Sequence, residues 1–136
     1  MMSSLRMTYP AIFQREDNGG YFIDFPDIQG AYTGINKDDL GYAVAMAEEV
    51  LGMVLSDYVE HGETLPKASN IKDLAVDSNS FATLISVDLA KYLKDNTLVK
   101  KTLTIPRWAS DLGNRSGINF SKLLTEAIVQ NSTYKG

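Results

Sequence analysis

Val99 to Ile105 (VKKTLTI) is the stretch where residue type and spacing say most about chemistry. Alternate side chains of a strand point to opposite faces. Val99, Lys101, Leu103 and Ile105 therefore point one way, and Lys100, Thr102 and Thr104 the other. The second face is entirely polar, with one cation and two hydroxyls. Paired with a second copy, it forms a two-stranded ribbon of the kind that fits the B-DNA major groove. Lys100 can donate to guanine O6 and N7. The Thr102 and Thr104 hydroxyls can donate or accept, and their methyls can meet thymine. Lys101 and the amino-terminal end of a following helix (Asn119, Phe120 and Ser121) are the candidates for backbone phosphate.

The other candidate chemistries are poorer in residues. Asp24 and Asp27 could form a carboxylate pair, and Asp38 and Asp39 could join them around a metal. Asp27, however, follows Pro26 in a turn, and Asp38 and Asp39 sit at a helix start, where the dipole favours negative charge. With no general base beside them, no catalytic residue and no metal site are assigned. His61, next to Gly62 at a helix end, serves the terminal carbonyls. There is no Cys, which excludes disulfides and thiolate sites. The phosphate-cradling and nucleophile-elbow motifs are missing, and no cofactor is expected.

The 136 residues carry a net charge of −4, which taken whole disfavours coating nucleic acid by bulk basicity. The sum hides two parts. Residues 1–98 hold seven basic against fifteen acidic side chains, a net −8, and residues 99–136 hold six against two, a net +4. Such asymmetry suggests separate partners. No apolar run approaches the roughly 18 residues of a membrane span. The first six residues lack a signal-peptide core, so a loose tail and a cytoplasmic address are expected.

These residues need elements to position them. Met7–Arg15 reads as a strand placed at a sheet edge because of Pro10. Asp17-Asn18-Gly19-Gly20 reads as a hairpin turn, and Tyr21–Phe25 as the returning strand. A short strand follows at Ala31–Thr33. Asn36–Glu60 has the three-and-four apolar spacing of a helix, with Asn36 as N-cap, Asp38 and Asp39 in the first turn, and Gly62 closing it. Phe81–Leu89 reads as a strand buried on both faces. The order is βββαβ, an α+β module. In the tail, a strand at 99–105 precedes two short helices, with Pro106 at the first start and Asn119 capping the second. Ile118 can staple onto Leu123. A lone strand keeps unpaired backbone groups, and so short a unit does not fold unaided. A twofold homodimer solves both problems, with Leu103, Ile105, Trp108, Leu112, Phe120, Leu124 and Ile128 as its core. The expected division is a module at 1–90, a linker at 91–98 and a DNA-binding domain at 99–136.

The run Val99–Trp108 followed by Gly117-Ile118-Asn119-Phe120-Ser121 resembles the ribbon-helix-helix tail of HicB-type antitoxins from bacterial toxin–antitoxin systems. The Tyr-Pro-Ala-Ile-Phe strand (9–13), the turn at 17–20, Phe-Pro-Asp-Ile-Gln-Gly (25–30) and the long helix with Leu40 and Ala43 resemble the same family. The resemblance runs from Met7 to about Gln130. It implies a partial RNase H-like module that covers the active site of a HicA-type mRNA interferase. It also implies a dimeric tail that binds operator double-stranded DNA and autorepresses the operon. No enzymatic activity and no membrane are implied. Lys67-Ala68-Ser69 departs from the family's usual Pro-Ser pattern after the helix. An RNA-binding toxin presents a basic surface, so the acidic residues of the module, Asp24, Asp27, Glu48, Glu49, Asp57 and Glu60 among them, are the toxin-facing candidates. The competing reading is a ribbon-helix-helix repressor whose first module senses a small ligand.

Overall fold

The computed structural model describes residues 5–94 and 97–131. The chain divides between Leu93 and Lys94 into two compact units. The expected tail at 1–6 and the linker at 91–98 lie partly outside the described residues.

The first unit holds strands β1 (Arg6–Arg15), β2 (Tyr21–Asp24) and β3 (Tyr32–Ile35), helix α1 (Leu40–Glu60) and strand β4 (Ser80–Asp88). The sheet is antiparallel throughout, in the order β3-β2-β1-β4. Its period-two pattern decides which face packs. Tyr9, Ala11 and Phe13 of β1, Tyr21 and Ile23 of β2, and Ile85 and Val87 of β4 are buried, as are Ala43, Ala47, Leu51 and Leu55 of α1. The α1 residues recur every four positions, which makes one helix stripe against one sheet face. The rings of Phe13 and Phe81 stack at 5.1 Å, and Tyr21 meets both edge-on. Gly20 lets β3 come close: a Cβ there would run into the backbone carbonyl of Ile35.

Three local expectations fail for tertiary reasons. β1 is an interior strand, with β2 and β4 on its two sides. Pro10 is tolerated because pairing with β2 stops at Ile12–Asp24, so at Pro10 the strand has only β4 as a neighbour. α1 begins at Leu40, not after Asn36. Asp39 is its N-cap and accepts from the Tyr42 N–H at 3.0 Å. Asp38 lies before the helix and pairs with Arg15 of β1 at 2.8 Å. Finally, β4 is an edge strand with one buried face, and Leu84 on its other face is exposed. The end of α1 is as expected. Gly62 has φ +70, and the Gly62 and Glu63 N–H groups donate to the carbonyls of Val59 and Tyr58, a Schellman closure.

The second unit holds α2 (Arg107–Arg115) and α3 (Phe120–Asn131). α2 ends in the same motif. Gly117 has φ +71, and the Gly117 and Ile118 N–H groups donate to the carbonyls of Asn114 and Gly113. Asn119 caps α3, its Oδ1 accepting from the Lys122 N–H at 3.0 Å. α3 comes back close over α2. A Cβ on Gly113 would sit 2.5 Å from the Phe120 Cζ.

Candidate functional site

Residues 97–106 carry no regular secondary structure in the single chain. The strand expected at 99–105 is therefore absent here, because a ladder needs a second strand and none is offered. The side-chain alternation is still visible. Lys101, Leu103 and Ile105 line a groove of about 560 Å³ together with Ile118, Phe120, Leu123 and Leu124. Lys100, Thr102 and Thr104 are not among its lining residues. Lys101 thus sits with the apolar set rather than with the polar one. Ile118 and Leu123 share the groove, as a staple requires.

The seven candidate core residues of the tail are not buried in this chain. Trp108 is 69% exposed, and the others lie between 37% and 58%. Trp108 and Leu112, assigned to the dimer core, are both open to solvent in one copy. A small helical pair cannot bury both faces, and the apolar seam is left open. Among the phosphate candidates, Asn119 uses its side chain as the cap of α3, and Phe120 and Ser121 open that helix and line the groove.

The acidic candidates of the first unit separate into kinds. Asp27 is held internally. Its Oδ2 accepts from the Ser69 N–H at 2.8 Å, and its Oδ1 accepts from the Ser69 hydroxyl. This ties the segment after α1 to the turn after β2. Tyr9 reinforces the tie, donating from its hydroxyl to the Pro66 carbonyl at 2.6 Å. Sequence reading misses Ser69 as Asp27's partner because the two are 42 positions apart. Asp38 is occupied by Arg15, whose hydrogen bond holds the Asp38 carboxyl below the usual carboxylate range. Glu48 and Glu49 are exposed on α1. Asp24 lies half-buried on the sheet face away from α1, and burial pushes its carboxyl up. The Nδ1 of His61 stands 2.7 Å from the Asp57 carbonyl at the end of α1, the carbonyl-serving place expected for it. Among the described residues no three His, Asp or Glu side chains gather as a metal site would need. No helix of the described residues is long and apolar enough to cross a membrane.

Residues 9–111 match the family described as the HicB-like antitoxin of bacterial toxin–antitoxin systems. The chain belongs to the HicB-like antitoxin family. Antitoxins of this family are not enzymes. The chain is 31% identical over 112 residues to Antitoxin HicB 1 of Photorhabdus laumondii, covering 82% of this chain. It spans 64% of that relative's length. A solved toxin–antitoxin complex from Streptococcus pneumoniae is similar at 36% identity and a TM-score of 0.59, over 93% of this chain and 99% of that one. The Burkholderia pseudomallei antitoxin HicB shares the fold at 21% identity and a TM-score of 0.65, over 92% and 98% of the two chains. This chain's mixed α/β fold, with its four-stranded antiparallel sheet, is thus similar to solved HicB antitoxin structures.

Proposed function

We propose that this HicB-like antitoxin neutralises a HicA-type mRNA interferase through its first unit, a partial RNase H-like module. We further propose that, as a homodimer, it binds operator double-stranded DNA through a ribbon-helix-helix tail to repress its own operon. The carrying observation is the tail. An alternating segment at 99–105, outside any ladder, stands beside an open apolar seam. Two copies of the segment, paired antiparallel, satisfy each other's backbone groups and close both seams. Lys100, Thr102 and Thr104 then lie side by side on the polar face of the ribbon, facing base edges. Membership of an antitoxin family supports the first half of the reading, and the similar chain solved in a toxin–antitoxin complex supports a toxin partner.

The test is operator binding by Thr102→Ala and Thr104→Ala chains, measured against operator and scrambled duplexes. Loss of a base contact should reduce discrimination by about 1–3 kcal/mol, with inhibition of the toxin unchanged. Undiminished operator discrimination in both variants would refute the ribbon. A wild-type chain that leaves the toxin's RNA cleavage untouched would refute the antitoxin half.

A further inference from the structure

The sheet has a second face, turned away from α1. It exposes apolar side chains from edge to edge: Tyr32 on β3, Phe22 on β2 and Leu84 on β4 are 59%, 40% and 54% exposed. The Phe22 and Tyr32 rings lie 6.1 Å apart. Asp24, on the same face of β2 as Phe22, stands opposite Ile12 on one neighbouring strand and Tyr32 on the other. Among the described residues no hydrogen bond or ion pair engages its carboxylate. At the far end of the face Arg6 stands opposite Asp88, whose carboxylate accepts from the Ala90 N–H at 3.1 Å.

Three properties of this face choose its occupant. Exposed aromatic rings on rigid strands make low-entropy anchors of the kind enriched at interface hot spots. A carboxylate already partly stripped of water loses less hydration when a partner covers it. Its sign, within a part of the chain that carries −8, calls for a cation. We propose that this open sheet face, centred on Asp24, docks the toxin, with an Arg or Lys of that basic protein meeting the carboxylate beside the rings of Phe22 and Tyr32. The inference rests on the antitoxin reading above and adds the surface. It gives the α1 carboxylates Glu48 and Glu49 a different part. Exposed to solvent, they attract the partner at long range but hold it weakly.

The test uses the full chain and its purified cognate HicA-type toxin in a catalytically inactive form, with association and dissociation followed by surface binding. Asp24→Asn and Tyr32→Ala should each weaken affinity at least tenfold, mainly through faster dissociation. Glu48→Gln with Glu49→Gln should slow association and leave dissociation within about twofold. Thermal melting checks that each variant is folded, and the exposed Tyr32 makes its variant the safer of the two. Affinity within about twofold of wild type for both Asp24→Asn and Tyr32→Ala overturns the docking surface while the antitoxin reading stands. A change in oligomeric state with unchanged toxin affinity assigns the face to a second copy and also overturns the proposal. No binding by the wild-type chain refutes the antitoxin reading itself.

Discussion

Tyr9→Phe removes a single oxygen, and the structure predicts both the size of its effect and the sign of its change with pH. The Tyr9 side chain is 1% exposed, and its hydroxyl donates to the Pro66 carbonyl at 2.6 Å. Near neutral pH the variant loses that bond and leaves the carbonyl short of a partner, a cost of about 1 kcal/mol. The wild-type hydroxyl is pushed up from 10.0 to about 12, chiefly by burial and secondarily by the nearby Asp27 charge. The folded state therefore favours the neutral phenol. Its contribution is complete below the unfolded value of 10.0 and is lost as pH rises toward about 12. Each tenfold change in proton affinity corresponds to about 1.4 kcal/mol, and solvent screening reduces the total to roughly 1–2 kcal/mol. The variant has no phenol at this position and escapes that loss. Groups common to the two proteins cancel in the difference. Urea unfolding near pH 7 should thus find the wild type more stable. The gap should narrow above pH 10 and close or reverse toward about pH 12. A gap that stays constant or widens with pH would show that burial does not hold Tyr9 neutral.

Gly20→Ala sets a Cβ against the Ile35 carbonyl and the Asn36 backbone, where no flexible side chain can yield. It should destabilise the first unit by roughly 3 kcal/mol or more in urea unfolding. Asp27→Ala releases Ser69 from the turn after β2, so limited trypsin digestion should cut after the nearby exposed Lys67 several times faster, with a stability loss of about 1 kcal/mol. The rate of association with the toxin should fall severalfold between low and physiological salt, while dissociation changes little. A salt-independent on-rate would mean that the −8 of residues 1–98 does not steer the encounter.

The elements that sequence patterns locate are those specified locally. The alternation of Tyr21, Phe22, Ile23 and Asp24 sorts the two sheet faces correctly, and the apolar stripe of α1 and its glycine stop are readable from spacing. Pattern reading errs where a distant residue decides between local equals. Asn36 and Asp39 are both good caps. Arg15 on β1 draws Asp38 out of the helix's first turn and Asp39 takes the cap, a choice made by tertiary structure. Pro10 correctly signals a missing donor, but the place for it is created by the end of β2, not by the end of the sheet. Asp27 reads as one of the toxin-facing acids because its partner Ser69 lies on another segment. The alternation at 99–105 is visible, but alternation specifies faces and not pairing, and among the described residues no strand pairs with this segment.

On the proposed reading of the tail, that missing ladder makes repression nonlinear. If the reading surface exists only when two tails have joined, the operator-binding form grows with the square of chain concentration while pairs are scarce. A repressor built this way is nearly silent at low abundance and acts steeply once chains accumulate. The same stretch at 99–105 that looks like an unfinished strand would then set the threshold at which the operon closes itself.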